Sequence, residues 1–357
     1  MKKIILLLFL LIPISISAID TSATSSILMD IDSNRILYED NIHNVRSVAS
    51  ISKIMTAVVA IESGKLDDEV TIGAEINTAY GSGIYIKEGE ILTLRDLLYG
   101  LMLRSGNDAA LAIAHYVGGS IDEFVNLMNK KADELKMINT TFNNPSGLDQ
   151  EKGNYSTAYD MALLTSYAMK LDEYKKITST KKYTLTTNKN TYVWINKNKL
   201  LSLYKYTTGG KTGFTEIAKR TLVTTASKNN INLVVVTLND GNDWQDHQNL
   251  FEYGFNNYTN IKLLENGNIN IYNEKYYEDY NLYIKDNFNY LIGNNEEDSV
   301  IFKYKLEKKR KIKNGDKVGK LTIYIGDKKI HEENIYIKER TKSKNVFFRL
   351  KEWITSL

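Results

Sequence analysis

Cysteine is absent from this chain of 357 residues, and its absence excludes several kinds of chemistry. No disulfide can form, no thiolate can act as a nucleophile, and no cysteine-ligated zinc site can be built. Hydrophobic residues make up 43% of the chain, which is ample for a globular core. The length suggests about two domains, so we expect a chain that folds without covalent cross-links.

Histidine is also scarce, and neither sign of charge is in large excess. The chain has four histidines, which lie far apart and show none of the spacings of a metal site. We therefore predict no metal and no cofactor. The formal net charge is only +3. This near balance of charges does not indicate the basic stripe that nucleic-acid binding requires, and we expect no nucleic-acid partner.

The first eighteen residues have the order of a secretory signal peptide. Two lysines precede the apolar run IILLLFLLIPISI, and small residues end the segment at Ser17 and Ala18. The run is short for a membrane span. We predict that residues 1–18 are a signal peptide and that the protein is exported. Pro13 and Ile16 depart from the usual cleavage pattern, and an uncleaved anchor is the alternative.

Strand patterns lie near both ends of residues 19–260, with helical patterns between them. Alternating residues around a turn predict a hairpin over residues 25–40. Strands are also predicted over residues 221–227 and 231–239, and the second of these is a continuous apolar run typical of a buried strand. Apolar residues at helical spacing predict helices over residues 50–63, 94–104, 107–118 and 121–136. This order predicts an α/β (α+β) domain whose terminal segments share one sheet.

The composition changes after residue 260. The segments SVIFKYKLE, GKLTIYI and ENIYIKER alternate with a period of two and predict a small all-β domain over residues 261–340. Residues 341–357 form a separate amphipathic segment, with Phe347, Leu350 and Ile354 on one helical face and cations opposite. A membrane anchor at the lipid interface and a helix packed on the β domain both fit this pattern.

Three short stretches carry the groups needed for nucleophilic catalysis. SISK places Ser50 and Lys53 on one face of a helix, where a lysine held neutral can activate a serine. SGN adds a second hydroxyl, Ser105, and an amide, Asn107. GGKTGFT, residues 209–215, supplies a cation and a hydroxyl, and its glycines let a substrate backbone approach closely.

In this order, S-x-x-K, S-x-N and K-T-G resemble the motif set of penicillin-binding proteins and serine β-lactamases. The segments IKEGEILTLRDLLYGLMLRSGNDAA, NNPSGL, STAYDMA and GGKTGFTEIA are similar to low-molecular-weight D-alanyl-D-alanine carboxypeptidases over residues 25–258. IKNGDKVGKLTIY resembles their appended domain. The resemblance implies a penicillin-binding/β-lactamase-like transpeptidase fold, with a central antiparallel sheet and a helical cluster, plus a small C-terminal β domain.

The resemblance also implies the catalytic roles. Ser50 would attack the carbonyl of the penultimate D-alanine of a peptidoglycan stem pentapeptide, and Lys53 would take its proton. Neighbouring lysines would depress the pKa of Lys53 by like-charge repulsion. Ser105 would pass a proton to the leaving amine. The backbone N–H groups of Ser50 and Phe214 would form the oxyanion hole.

Substrate binding is implied for the remaining motif residues. Asn107 would bond the substrate peptide, and Lys211 and Thr212 would bind its terminal carboxylate, with Gly213 beside them. β-Lactam antibiotics would acylate the same serine as inhibitors. The expected location is the cell wall or the outer face of the cytoplasmic membrane, with peripheral membrane contact through the C-terminal segment.

The chain departs from the family pattern at three positions. Thr208 stands where the family usually has an acidic residue, Lys219 where it usually has glycine, and Ser146 where many relatives have histidine. None of these positions carries a catalytic role in the family pattern. The departures therefore bear on rate and substrate preference.

Three alternative functions fit parts of the pattern. A class A β-lactamase needs a glutamate that activates the deacylating water, and none of Glu123, Glu134, Glu151 and Glu173 has the E-x-x-L-N context of that class. We therefore predict slow deacylation and trapping of penicillin. A DD-endopeptidase would use the same machinery. A non-catalytic wall-binding protein is disfavoured because the motif serine and lysines are all present.

Overall fold

The structure, a computed structural model, describes residues 19–149, 152–271, 275–309 and 311–339. The chain divides into two compact units between Asn256 and Asn257. The predicted signal peptide, residues 1–18, and the predicted amphipathic segment, residues 341–357, lie outside the described residues. No helix in the described ranges is long and apolar enough to cross a membrane.

The first unit combines strands and helices. Its strands are β1 (Ser25–Asp30), β2 (Ile36–Asp40), β3 (Arg46–Ser47), β4 (Glu69–Thr71), β5 (Ile91–Thr93), β6 (Tyr155–Ser156), β7 (Lys182–Thr186), β8 (Thr191–Ile195), β9 (Thr207–Thr215), β10 (Lys219–Lys228) and β11 (Ile231–Leu238). Its helices are α1 (Lys53–Glu62), α2 (Leu94–Tyr99), α3 (Asn107–Gly118), α4 (Ile121–Glu134), α5 (Ala158–Ala168), α6 (Asp172–Ser179), α7 (Leu200–Leu203) and α8 (Asp243–Asn257).

A five-stranded antiparallel sheet in the order β2-β1-β11-β10-β9 forms the centre of this unit. β1 pairs with β11, with Ile27 opposite Val236, so segments far apart in sequence lie side by side. Asn229 and Asn230 both have positive φ and close the β10–β11 hairpin. The prediction that the terminal segments share one sheet is confirmed.

Helices cover both faces of the sheet. On one face α5 packs against β1 and β11. On the other face α8 approaches closely, because Gly254 has no Cβ to meet Leu233 and Leu28. β1 and β11 are therefore buried on both faces of the sheet, which explains their largely apolar sequences.

Helix α1 is buried among other helices rather than at the surface. Ile54 and Val58 are fully buried, and each such side chain contributes roughly 1.5–3 kcal/mol of hydrophobic free energy. The helix contacts α3, α4 and α5. This packing fixes the N-terminus of α1, which is the end that carries the predicted site.

The second unit consists of strands. They are β12 (Tyr258–Leu264), β13 (Gly267–Ile269), β14 (Tyr280–Ile284), β15 (Phe288–Gly293), β16 (Val300–Leu306), β17 (Lys317–Ile325) and β18 (Lys328–Glu339). β12 pairs with β15, and the other strands form a five-stranded antiparallel sheet in the order β13-β14-β18-β17-β16. Its core includes Val318, Ile323, Ile335 and Ile337, which are all fully buried. The predicted boundary at residues 260 and 261 falls within β12.

Candidate active site

Ser50 lies in a short 3₁₀ turn, Ala49–Ser52, that leads directly into α1. Ala49 has a φ of 49°, in the left-handed region. Gly147 lies against this turn so closely that a Cβ there would stand 2.0 Å from the Ala49 carbonyl oxygen. Two segments far apart in sequence therefore hold the Ser50 hydroxyl at the start of the buried helix.

Lys53 is the first residue of α1, and its side chain is fully buried. Its Nζ atom lies 3.1 Å from Ser50 Oγ and donates to Asn107 Oδ1 at 2.7 Å. It also donates to the backbone carbonyl of Ser146. A neutral amine has two hydrogens and one lone pair, so the two carbonyl oxygens leave the lone pair facing the Ser50 hydroxyl.

The pKa of Lys53 suits a base at neutral pH. Burial, with a smaller contribution from the positive charge of Lys197, lowers this pKa to about 7, while Asp108 opposes the shift. The sequence predicted like-charge repulsion as the cause, but in the structure burial is the larger one. Neutral Lys53 is therefore accessible near neutral pH.

Ser105 and Asn107 lie at the junction between two helical segments. The π-helical turn Gly100–Arg104 ends at Ser105, which is buried with a φ of 63°. Asn107 begins α3 and donates from Nδ2 to the carbonyl of Tyr80 at 2.6 Å. Because its Oδ1 also accepts a hydrogen bond from Lys53, Asn107 links the loop at Tyr80 to this lysine.

Lys211 comes from β9 on the opposite side of the site. Its Nζ atom donates to Ser105 Oγ at 3.0 Å and to the Thr212 carbonyl at 2.7 Å. Burial, followed by the charges of Lys53 and Lys197, holds the pKa of Lys211 well below its usual value. The structure thus connects the lysine of K-T-G to the serine of S-x-N.

Gly213 allows β9 to lie directly beside the nucleophile. A Cβ at this position would stand 3.0 Å from the backbone nitrogen of Ser50 and 2.4 Å from Thr221 Oγ1. Among the described strands β9 is at the edge of the sheet, so alternate N–H groups of this segment point away from β10. Phe214, the next residue, is 61% exposed.

A cleft of roughly 320 Å³ is lined by Ser50, Ser105, Thr212, Gly213 and Phe214 among the predicted site residues. Its other walls include residues that the sequence did not single out: Ser82, Lys197, Arg220, Thr221, Asp243 and Trp244. They come from separate elements and belong to no local motif, so only the fold brings them together. A larger hollow of about 830 Å³, beside Met169 and Thr208, contains none of the motif residues.

Arg220 and Asp243 form an ion pair at one wall of the cleft. Arg220 donates from Nε to Oδ2 at 3.1 Å and from Nη2 to Oδ1 at 2.5 Å. The Asp243 side chain is 4% exposed and that of Arg220 is 43% exposed. The guanidinium group is therefore fixed on one side and open to the cleft on the other.

Each of the three departures from the family pattern has a structural setting. Thr208 Oγ1 lies 2.8 Å from Thr225 Oγ1 on β10. Lys219 begins β10 with a φ of 59°, a conformation that favours glycine. Ser146 takes part in the site through its backbone carbonyl, which accepts a hydrogen bond from Lys53, rather than through its side chain.

Three of the four glutamates considered for a β-lactamase mechanism lie away from the cleft, and the fourth, Glu151, is outside the described residues. Glu123 and Glu134 are on α4, and Glu173 is on α6, where it pairs with Arg95. None of these three described glutamates lines the cleft. Among the described residues there is also no group of three or more histidine, aspartate or glutamate side chains placed to hold a metal ion.

Comparison with known proteins finds the same family along most of the chain. Residues 13–242 match the model of the peptidase S11 family, described as D-alanyl-D-alanine carboxypeptidase. Residues 258–343 match the C-terminal domain of penicillin-binding protein 5. Both units of the fold therefore have counterparts in the same proteins.

Individual relatives agree with this assignment. The carboxypeptidase DacF of Bacillus subtilis is 38% identical over 60% of this chain, and the chain spans 56% of DacF. DacA of Haemophilus influenzae is 30% identical over 93% of this chain and 88% of its own length. The crystal structure of penicillin binding protein 5 from Haemophilus influenzae has a TM-score of 0.75 and 29% identity, covering 90% of this chain and 97% of that one.

The fold and the cleft define a serine hydrolase of the penicillin-binding class. Within that class, the chain belongs to the D-alanyl-D-alanine carboxypeptidase family. The family and the fold class predicted from the motifs are both confirmed.

Proposed function

We propose that this protein removes the terminal D-alanine from peptidoglycan stem pentapeptides through an acyl-enzyme on Ser50. The observation that carries the proposal is the 3.1 Å contact between Lys53 Nζ and Ser50 Oγ. A serine hydroxyl beside a buried lysine with a pKa of about 7 is an activated nucleophile. Family membership supports the choice of substrate.

In the acylation step, neutral Lys53 takes the proton of Ser50 while Oγ attacks the carbonyl carbon of the penultimate D-alanine. The negative charge that develops on the carbonyl oxygen is stabilised by the backbone N–H groups of Ser50 and Phe214. The close approach of Gly213 to the Ser50 nitrogen supports this pairing of donors.

The C–N bond then breaks, and the leaving amine of D-alanine receives a proton through Ser105. That proton is the one that Lys53 took from Ser50, so Lys53 becomes neutral again. The hydrogen bond from Lys211 to Ser105 Oγ supports this relay because it orients the hydroxyl. Neutral Lys53 next takes a proton from a water molecule, whose oxygen attacks the ester carbonyl. The ester bond breaks, the shortened peptide leaves with the new carboxylate, and Lys53 returns the proton to Ser50 Oγ. β-Lactams acylate Ser50 in the same way.

The terminal carboxylate of the substrate lies among the polar groups of β9 and the cations of the cleft. Thr212 and Gly213 line the cleft, and Lys211 reaches it through Ser105. Burial and the neighbouring lysines disfavour the charged form of Lys211 and lower its pKa. Arg220 and Lys197, which also line the cleft, therefore supply much of the attraction for the carboxylate.

The site of action is outside the cytoplasm, at the cell wall. The predicted signal peptide, residues 1–18, supports export, and the amphipathic pattern of residues 341–357 supports peripheral contact with the outer face of the membrane. Both segments are proposed from sequence alone. Residues 19–260 then form the peptidase domain and residues 261–340 an accessory β domain.

Release of D-alanine from a purified stem pentapeptide tests the proposal directly. We expect release by the protein, none by Ser50→Ala, and normal release by Ser63→Ala, which removes a hydroxyl at the far end of α1. Intact mass after penicillin treatment is expected to increase by one penicillin in the protein and in Ser63→Ala only.

Other outcomes point to the alternatives. Cleavage of cross-linked peptides without release from the pentapeptide would assign an endopeptidase. Rapid return to the unmodified mass would indicate a β-lactamase. A folded protein with neither D-alanine release nor a penicillin adduct would overturn a catalytic role altogether.

A further inference from the structure

Lysines are concentrated on the outward face of the five-stranded sheet in the second unit. On β16, Lys303 and Lys305 are exposed and lie opposite Thr322 and Lys320 of β17. The alternate residues of this strand, Phe302 and Tyr304, lie opposite the core residues of β17. The lysines therefore project from the face that does not cover the core.

The same face continues across β17 and β18. Lys317 lies opposite Tyr336, beyond the bulge that turns Val318 into the core. Lys329 lies opposite Tyr324, and Lys338 is paired with Asn281 of β14. Two lysines from each of three adjacent strands thus share this face, and Lys285 follows directly after β14. The full set is Lys303 and Lys305 of β16, Lys317 and Lys320 of β17, Lys329 and Lys338 of β18, and Lys285.

At these outward positions of the described strands, Glu332 is the single acidic residue. It contacts Lys320 at 2.5 Å and Lys329 at 2.7 Å. Those two contacts lower its pKa to about 2. The carboxylate is therefore charged and offsets one lysine, and the face keeps a strong positive excess in a chain whose formal net charge is only +3.

Tyrosine rings lie beneath and between the lysines. Lys303 Nζ is 4.8 Å from the centre of the Tyr324 ring, and Lys285 Nζ is 3.9 Å from that of Tyr336. Tyr283 packs on Tyr336 with ring centres 5.7 Å apart. These contacts hold the ammonium groups over the faces of the rings. The rings are partly buried, so none projects as a membrane-inserting side chain does.

Protection of a sheet edge does not account for this arrangement. Lysines on an edge strand discourage pairing with other chains, and that explanation covers β16. It does not cover β17 and β18, which are internal strands of the sheet. Folding does not require the charge either, because the core lies on the opposite face.

We propose that this lysine face, defined by the outward lysines of β16, β17 and β18 with Lys285, binds a linear anionic polymer whose charges are repeated phosphodiesters. Alternate residues of a strand are roughly 6.5–7 Å apart, which suits an extended chain with a charge in each short repeat. Three adjacent strands carry such lysines, so an extended chain can meet several of them, and tyrosine hydroxyls suit a polyol backbone. The inference does not depend on the peptidase activity.

Binding of the full-length protein to immobilised poly(glycerol phosphate) tests the proposal. The face variant is Lys303→Gln, Lys305→Gln and Lys317→Gln combined, which leaves the Glu332 contacts intact. The control variant is Lys130→Gln, Lys181→Gln and Lys182→Gln combined, which removes the same charge from exposed positions of the first unit. We expect binding that weakens between about 50 mM and about 200 mM salt. The face variant should bind at least about tenfold more weakly, and the control variant like the parent.

Two readouts keep the result unambiguous. D-alanine release from a soluble pentapeptide and the thermal unfolding midpoint report whether each variant is folded, independently of polymer binding. Equal losses in the two variants, or no loss in either, would overturn the proposal. Binding to vesicles of phosphatidylglycerol and phosphatidylcholine but not to the polymer would also overturn it, in favour of a membrane surface.

Discussion

Lys53 and Asn107, 54 residues apart in sequence, are joined by a hydrogen bond of 2.7 Å between Nζ and Oδ1. This bond fixes the direction in which the Lys53 amine points, because it occupies one of its hydrogens. The Ser146 carbonyl accepts the other hydrogen of the neutral amine, so the lone pair faces Ser50. The relationship also connects two motifs, S-x-x-K and S-x-N, that sequence order alone cannot bring together.

The pH dependence of acylation should follow the pKa of Lys53. The neutral amine is the base, so kcat/KM is expected to rise with pH through about 7. Replacing Lys197 by Gln removes a positive charge that disfavours protonated Lys53. The pKa of Lys53 then rises, and the ascending limb moves to higher pH. The shift is small because Lys197 is partly exposed and its charge is screened. The measurement is kcat/KM against pH for pentapeptide hydrolysis.

The control for this prediction is Lys197→Arg, which keeps the charge and should leave the limb in place. A shift of the Lys197→Gln limb to lower pH would contradict the charge argument.

Gly213→Ala should impair acylation more than binding. Its Cβ would meet the Ser50 nitrogen at 3.0 Å and Thr221 Oγ1 at 2.4 Å, so β9 must move away from the nucleophile. Loss of one oxyanion donor slows reaction by roughly 10²–10³-fold. The rate of labelling by a fluorescent penicillin measures the effect. Gly241→Ala, whose Cβ meets no described atom within 4 Å, is the matched control and should label normally.

Arg220→Gln should weaken recognition of the substrate's terminal carboxylate. A charge-assisted hydrogen bond contributes about 1.5–3 kcal/mol, so KM is expected to rise by roughly 10–100-fold with a smaller change in kcat. The decisive comparison is between a pentapeptide acid and its C-terminal amide. The parent protein should prefer the acid strongly, and the variant should lose most of that preference. An unchanged preference would mean that Arg220 only holds Asp243.

Lys219→Gly should stabilise the protein. A non-glycine residue at a φ of 59° is strained by roughly 1–2 kcal/mol, and part of that gain is offset by the greater freedom of glycine in the unfolded chain. We expect a net increase of about 0.5–1 kcal/mol in the free energy of unfolding, measured by denaturant titration. Lys182 is an exposed residue of β7 without a positive φ, so Lys182→Gly should instead lower the free energy of unfolding by a similar amount.

Local sequence patterns predicted the elements that depend on local periodicity. The helix predicted over residues 107–118 coincides with α3, and the predicted strands over residues 221–227 and 231–239 correspond to β10 and β11. The helix predicted over residues 50–63 is confirmed as α1, but it begins with a 3₁₀ turn. Apolar spacing carries no information about that turn.

The remaining features depend on pairing that sequence order does not reveal. The sequence placed GGKTGFT before a run of strand residues, whereas these residues lie within β9, whose strand conformation comes from pairing with β10 rather than from the propensities of glycine and threonine. Lys197, Arg220 and Asp243 line the cleft only because three separate elements meet there. No spacing rule identifies such residues in advance.

The pairing of β1 with β11 has a consequence for the order of folding. β1 begins at Ser25 and its partner ends at Leu238, so the central sheet cannot close until nearly the whole first unit has been synthesised. Contacts of such high sequence separation slow folding. The pocket around Ser50 therefore takes its final form only when β11, the last strand of the sheet in sequence, pairs with β1, the first.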